Sequence, residues 1–143
     1  MAIIYNSAEV YVTLNGVPVE GFATGDFVSI VRSADKHTKT VGADGEITIA
    51  YTTDRSGEAT LTVTRGSTAS ATLDGFNRAA DEGDLSGFSF DVVEQASGTL
   101  ASSSRAWIKT EPALAFAETA GTEAWVLTIE SLDIERKALP KSI

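Results

Sequence analysis

Apolar and polar residues alternate with a period of two along most of the chain, which is the pattern of half-buried strands in antiparallel sheets. The first strand, residues 10–14, stops at Asn15-Gly16, a dipeptide suited to a tight hairpin turn, and residues 17–19 return. Further strands are predicted at residues 27–32, 88–92, 100–109 and 123–132. The pattern therefore predicts a mainly β fold, an antiparallel β-sandwich or barrel.

Two apolar faces in the middle of the chain predict a second hairpin across residues 46–64. The faces consist of Ile47, Ile49 and Tyr51 before a turn signal at residues 54–57, and Ala59, Leu61 and Val63 after it. A one-residue slip would send every apolar side chain to the wrong side, so Tyr51 is expected to pair with Ala59 and Ile47 with Val63. This register makes the opposite face polar, and its candidate functional residues are Glu46, Thr48, Glu58, Thr60 and Thr62.

A polar segment, residues 33–45, separates the third predicted strand from this hairpin. Structureless connections of about 12 residues or more are uncommon in compact domains and tend to be functional or to order against a partner. We therefore predict a long early loop that makes contacts. Its candidate contact residues are Asp35, Lys36, His37, Lys39, Val41 and Asp44.

One α-helix is predicted near residues 68–82, where apolar residues recur at helical spacing behind a Ser67 or Thr68 cap. Gly75 in its middle costs about 1 kcal/mol relative to alanine, so the helix is expected to depend on docking against the sheet. Trp107 and Trp125 are predicted to be core anchors, with Trp125 sharing a face with Leu127 and Ile129.

The composition describes one acidic domain. The chain has 143 residues, a formal net charge of −9, no cysteine and one histidine. Three bases, Arg136, Lys137 and Lys141, lie after the last strand, so 20 acidic and 8 basic residues leave residues 1–135 at −12. We expect a single β domain over residues 1–135 followed by a basic tail, residues 136–143.

Several function classes are disfavoured by what the sequence contains. Its longest apolar runs are five residues, against about 20 for a membrane span, and the start lacks the pattern of a secretory signal. The acidic balance argues against binding nucleic acid through phosphate neutralisation. Residues 42–46 lack the spaced ligands of a calcium loop, and residues 102–104 lack a nucleophile elbow. We expect no enzyme activity, no cofactor, no metal and no membrane anchor.

Several short strings of the sequence belong together: residues 39–46 (KTVGADGE), 54–57 (DRSG) and 59–63 (ATLTV), residues 10–16, 21–23 and 26–28 near the start, and residues 106–108 (AWI) and 125–127 (WVL) in the closing strands. They resemble the tail tube proteins of contractile-tailed bacteriophages, a family related to the haemolysin-coregulated protein of type VI secretion. The resemblance covers roughly residues 5–132.

The resemblance implies a virion subunit assembled in the host cytoplasm, with six copies per ring and rings stacked into a tube inside a contractile sheath. DNA would pass through without specific binding, and the partners would be the sheath, baseplate and tape-measure proteins. Residues 33–45 match a loop that reaches the neighbouring subunit or ring, and the polar face of residues 46–64 is the candidate lumen wall. The segment 134–143 has no counterpart.

Two other classes of function stay open at this point. The first is a monomeric immunoglobulin-like binding or decoration domain on a virion or cell surface. The second is a hydrolase that uses carboxylates in no recognised pattern. A tube subunit assembles into rings, whereas a decoration domain stays monomeric and binds a ligand.

Overall fold

The structure is a computed structural model that describes residues 2–23, 25 and 27–140. Ten strands, one α-helix and a short 3-10 helix at Ser7–Glu9 account for its regular structure. The strands are β1 (Val10–Leu14), β2 (Val17–Val19), β3 (Val28–Arg32), β4 (His37–Val41), β5 (Ile47–Tyr51), β6 (Gly57–Thr64), β7 (Phe88–Glu94), β8 (Thr99–Thr110), β9 (Thr122–Ile129) and β10 (Asp133–Glu135), and the helix α1 is Thr68–Asp81.

The main sheet is antiparallel and follows the order β2-β1-β7-β8-β9-β6-β3. The long strand β8 joins its two halves, since residues 99–106 pair with β7 and residues 106–110 pair with β9. β10 pairs with the start of β8. The side chains of both halves meet in a single core, which makes the fold sandwich-like rather than a closed barrel, as the alternating pattern predicted in its first alternative.

The core is built from the inward-facing positions of the strands, where burial alternates strictly along β6 and β9. Trp125, Leu127 and Ile129 are almost completely buried on one face of β9, as predicted. The first hairpin is also confirmed: β1 pairs with β2 around Asn15 and Gly16, which adopt φ angles of 52° and 81°. Both angles are those of a tight type I′ turn, for which this dipeptide is suited.

The predicted pairing across residues 46–64 is wrong. β5 pairs with β4, so that Tyr51 lies opposite His37 and Ile47 opposite Val41, whereas β6 pairs with β3 and β9. The chain reverses at residues 42–46, where Gly45 has a φ of 86°, and not at residues 54–57. The apolar residues of β5 therefore never face the core that β6 covers.

The predicted loop at residues 33–45 is also wrong in part, because residues 37–41 form strand β4. The β4–β5 pair continues the β3–β6 pair beyond the end of the main sheet. Backbone hydrogen bonds from Ser33 N to Ser56 O (3.2 Å) and from Thr52 N to Lys36 O (2.9 Å) bridge the two pairs. We call residues 33–56 the ribbon.

Trp107 is not in the core, contrary to the prediction. A β-bulge in β8 pairs Phe88 with Ala106 but Phe90 with Ser103, which inserts one residue into the alternation. Ala106 consequently faces inward, and Trp107 lies half-buried on the other face, where its Nε1 donates a 2.9 Å hydrogen bond to the Leu85 carbonyl.

The α-helix lies where the sequence predicts it, ending one residue earlier. The Ser67 hydroxyl oxygen caps its start by accepting from Ser70 N at 3.3 Å. Ala69 and Leu73 are fully buried in the core, and Phe76 stacks on Phe88 with ring centroids 4.4 Å apart. Packing against the core thus compensates for the low helix propensity of Gly75.

The first and last described segments of the chain lie against each other. Ile4 N donates to Pro140 O at 2.9 Å, and Lys137 N donates to the Thr99 hydroxyl at 3.0 Å, so the first part of the predicted basic tail is bonded to β8. Asp26 of the family-like opening and Lys141 of the tail lie outside the described residues. No helix in the described part of the chain is long and apolar enough to cross a membrane.

Candidate assembly surfaces

The ribbon is shaped by turns that its own side chains close. At its tip, Gly42 N donates to Glu46 O at 2.7 Å, and the Asp44 carboxylate accepts from Glu46 N at 3.1 Å. At its base, the Asp54 carboxylate accepts from Ser56 N (2.9 Å) and from the Ser56 hydroxyl (2.6 Å). Both bonds hold the pKa of Asp54 below its ordinary value. The bond from the Ser56 hydroxyl has the larger effect, and the bond from Ser56 N has the smaller one.

The two faces of the ribbon differ in chemistry. Residues directly opposite in an antiparallel pair share a face, so one face is set by the pairs His37–Tyr51, Lys39–Ile49 and Val41–Ile47. The other face carries Thr38, Thr40, Thr48 and Ala50. We call the first the apolar-basic face and the second the threonine face.

None of the described residues outside the ribbon covers the apolar-basic face. Val41, Ile47 and Ile49 are each about half exposed, and Tyr51 is 77% exposed, with its ring 5.9 Å from that of His37. Neighbouring exposed apolar side chains on one surface mark an interaction site. Of the predicted loop residues, the structure places His37, Lys39 and Val41 on this face, Asp44 at the tip, and Asp35 and Lys36 near the base.

The five residues of the candidate lumen face divide between two places. Glu58, Thr60 and Thr62 lie together on the outer face of β6, half-buried, whereas Thr48 lies on the threonine face of the ribbon and Glu46 at its tip. Thr128, Val126 and Ala124 of β9 pair with the three β6 residues and extend that outer face. We call these six residues the β6–β9 face.

The β6–β9 face is polar and carries little net charge. The Glu58 carboxylate forms an ion pair with Lys109 of β8, across the intervening strand β9. The remaining members are three threonines, a valine and an alanine. This arrangement presents hydroxyl groups and no uncompensated positive charge to whatever lies against it.

Residues 111–121, the connection between β8 and β9, form a second exposed apolar surface. Leu114 and Phe116 are 71% and 78% exposed within the sequence ALAFA at residues 113–117. The Arg65 guanidinium lies 4.5 Å above the centroid of the Phe116 ring, and Arg65 N donates to Gly121 O at 3.0 Å. We call residues 111–121 the apolar loop.

A buried carboxylate lies beneath the apolar loop. Glu123 is 8% exposed and accepts a 2.5 Å hydrogen bond from the Ser70 hydroxyl of α1. This bond joins the start of β9 to the helix. Because Glu123 follows the apolar loop by two residues, the bond also holds the end of the loop against the domain.

The described residues hold no group of three or more histidine, aspartate or glutamate side chains able to bind a metal ion. His37 faces Tyr51 on the ribbon, and the Ser103 hydroxyl donates to the Arg105 carbonyl at 3.0 Å within the bulge of β8. Both side chains thus have structural neighbours. The features that stand out are the surfaces suited to assembly.

Comparison with known proteins identifies the family. A family model described as Bacteriophage PhiTE tail tube protein matches residues 7–136. The chain belongs to this tail tube family. As the resemblance implied, it is a structural protein of the tail tube type. No curated protein sequence matches the chain.

Solved structures share the fold at low sequence identity. The chain is similar to the tube-terminating cap of the anti-feeding prophage, with a TM-score of 0.64, 15% identity and 94% of each chain covered. It is also similar to a chain of the PVC sheath–tube complex, an extracellular contractile injection system, with a TM-score of 0.62, 12% identity and 91% and 90% of the chains covered. A chain of a native gene transfer agent virion gives a TM-score of 0.64 at 10% identity, covering 93% and 100%.

The sequence predicts only part of these surfaces. On the apolar-basic face, it predicts His37, Lys39 and Val41 as contact residues, whereas it assigns the β5 half of the face to a core hairpin. The reason is that an exposed face that awaits a partner shows the same alternation as a buried one. The apolar loop was noted only as too short to span a membrane. Its signal was the run of five apolar residues beside Pro112, outside any predicted strand.

Proposed function

We propose that the chain forms hexameric rings that stack into the tube of a contractile tail, and that DNA leaves the particle through the channel. Membership of the tail tube family supports a structural role. The observation that carries the proposal is the ribbon, a paired arm that extends beyond the sheet with apolar side chains about half or more exposed. In a single copy these side chains stay exposed, so the arm contributes no core packing to the fold of the monomer.

The ribbon is proposed to contact the neighbouring subunit. Its apolar-basic face buries Val41, Ile47, Ile49 and Tyr51 only when another surface covers it. Burial of apolar area contributes about 25 cal/mol per Å², so an arm of four such side chains supplies substantial association energy. The predicted contact residues His37 and Lys39 lie on the same face.

The main sheet also has two ends suited to ring closure. In the described part of the chain, β2 and β3 each pair with a single main-sheet strand, so each leaves an edge free. Free edges are a hazard in a monomer but can pair with the next copy in a closed ring. We propose that ring formation occupies these edges.

The β6–β9 face is proposed to line the channel. It retains Glu58, Thr60 and Thr62 of the predicted lumen wall, and its threonine hydroxyls offer no cation to hold a phosphate. Six copies at −9 each carry a formal charge of −54, a field that disfavours adhesion of DNA. DNA would pass without a specific site, and the subunit would act without a cofactor or catalytic group.

The sheath, the baseplate and a tape-measure protein are the further partners that this role requires, with assembly in the host cytoplasm. Electron microscopy of the purified protein tests the proposal: we expect rings or tubes with six-fold symmetry. A protein that stays monomeric at every concentration and binds a surface ligand instead would be the immunoglobulin-like decoration domain.

A further inference from the structure

The apolar loop and the ribbon leave the domain at opposite ends of the same strands. In the register of β6, Gly57 pairs with Ile129 of β9 and with Arg32 of β3, where the ribbon begins. At its other end, Thr64 pairs with Thr122, where the apolar loop ends. The eight residues of β6 separate the two surfaces by about 23 Å.

The two surfaces complement each other. The apolar-basic face combines three aliphatic side chains and Tyr51 with Lys39 as its one lysine or arginine. The apolar loop combines Leu114 and Phe116 with Glu111 and Glu118, which are its only charged residues. Apolar side chains thus meet apolar side chains, and a cation meets anions.

The apolar loop is also held in place before any partner arrives. Arg65 contacts the Phe116 ring and bonds to Gly121, and Glu123 bonds to α1 just beyond the loop. A surface that is already ordered loses less conformational entropy on binding. Its exposed leucine and phenylalanine are therefore ready to form a contact.

We infer that the apolar loop of one copy receives the apolar-basic face of the ribbon of the next copy, in a head-to-tail contact. Because the two surfaces lie at opposite ends of the domain, one copy cannot satisfy both within itself. A head-to-tail contact repeats from copy to copy and generates a ring or an open filament. This inference rests on the proposed tube function and adds the receiving surface for the ribbon.

Disulfide cross-linking tests the contact directly, because the chain contains no cysteine. Tyr51→Cys and Leu114→Cys are combined in one chain, assembled, oxidised and run on a non-reducing gel. We expect a ladder of covalent multimers from this chain, and only dimers from an equimolar mixture of the two single variants. The matched control is Thr48→Cys with Leu114→Cys, which places the thiol on the threonine face and is expected to lower the ladder at least about tenfold.

Two further sets of variants test the apolar contact and the charge contact separately. Leu114→Ser with Phe116→Ser should leave the circular dichroism of the monomer unchanged, because both side chains are exposed, and should lower the sedimenting fraction at least about tenfold. Lys39→Glu should weaken assembly, and adding Glu118→Lys should restore it.

The two proposals fail in different ways. Wild-type protein that never assembles contradicts the tube function itself. Wild-type tubes that form normally, while the Tyr51–Leu114 pair gives no ladder and the serine variant still assembles, overturn the head-to-tail contact alone. In that case the apolar loop faces another protein of the tail.

Discussion

Gly57 lies directly against Leu132 at the point where the ribbon enters the main sheet. A Cβ at Gly57 would stand 2.6 Å from Leu132 Cδ2 and 2.8 Å from the Val31 carbonyl oxygen. Leu132 itself is 3% exposed, and its carbonyl accepts a 3.0 Å hydrogen bond from the Arg32 guanidinium. A side chain at residue 57 therefore has no free space on either side.

Gly57→Ala should consequently destabilise the domain. The added methyl forces Leu132 or the β3 backbone to move, and overpacking of this kind costs about 1–3 kcal/mol. Urea denaturation followed by circular dichroism measures the change in the free energy of unfolding. An unchanged midpoint would show that this junction is looser than the structure describes.

Gly75→Ala provides the matched control with the opposite sign. Gly75 lies inside α1, and a methyl group added there would meet no neighbouring side chain or strand within 4 Å, so alanine fits without a clash. The substitution should stabilise the protein by about 0.5–1 kcal/mol through helix propensity. The same urea titration should thus move in opposite directions for the two glycines.

The elements fixed by local chemistry could be predicted from the sequence, and those fixed by distant contacts could not. Asn15-Gly16 and the Ser67 cap determine a turn and a helix start from a few neighbouring residues. The partner of β5 depends on where the core lies, and the alternation of Ile47, Ile49 and Tyr51 carries no information on that. Within the candidate site, the sequence predicts a contact segment at residues 33–45, but the division of the ribbon into two faces required the observed pairing of β4 with β5.

The bulge in β8 shows the same limit at a single residue. Alternation counted through residues 101–107 places Trp107 inside, and one inserted residue places Ala106 there instead. A bulge of this kind leaves no clear sequence signal without glycine or proline, and residues 103–106 contain neither. The outward position of Trp107 was therefore visible only in the structure.

Shortening the ribbon should separate assembly from folding. Replacing residues 37–51 by Asn-Gly joins Lys36 to Thr52, which already share a backbone hydrogen bond, through a two-residue turn. Because every replaced residue is exposed, we expect the melting temperature of the monomer to change little, whereas sedimentation should show no rings or tubes. Thr40→Ser, on the threonine face, is the control that keeps assembly. Normal tubes from the shortened chain would contradict the role of the ribbon.

Lysines on the β6–β9 face should impede DNA without preventing assembly. Thr60→Lys with Thr62→Lys adds twelve cations to each six-copy ring, and phosphate contacts of this kind weaken steeply with salt. We expect tubes of normal appearance that retain DNA at low salt and release it as salt is raised. Thr48→Lys on the ribbon should not retain DNA. Tubes that release DNA equally well at low salt would place this face away from the channel.

The Ser56 hydroxyl should control the titration of Asp54. Because bonds from Ser56 lower the pKa of Asp54 in the folded state, their contribution is present above the unfolded pKa of about 3.9 and is lost as the pH falls through the lower folded value. Ser56→Ala removes the hydroxyl bond, which has the larger effect on the pKa of Asp54, and should raise that pKa toward its ordinary value. NMR titration of the carboxyl carbons measures it.

Asp84 is the internal reference for that titration. Hydrogen bonds from Ser86 lower the pKa of Asp84 in the same way at a distant site, and the bond from the Ser86 hydroxyl again has the larger effect. Its titration should be identical in wild-type protein and in the Ser56→Ala variant. Equal shifts at both carboxylates, or none at Asp54, would show that the Asp54–Ser56 bond does not persist in solution.

The central claim, that this chain builds a tube, is tested most directly by cryo-electron microscopy of assembled wild-type protein. We expect stacked rings of six copies, with the β6–β9 face toward the channel and each ribbon covered by another copy. Monomers at all concentrations, or tubes in which the apolar-basic face of the ribbon remains exposed to solvent, would contradict it.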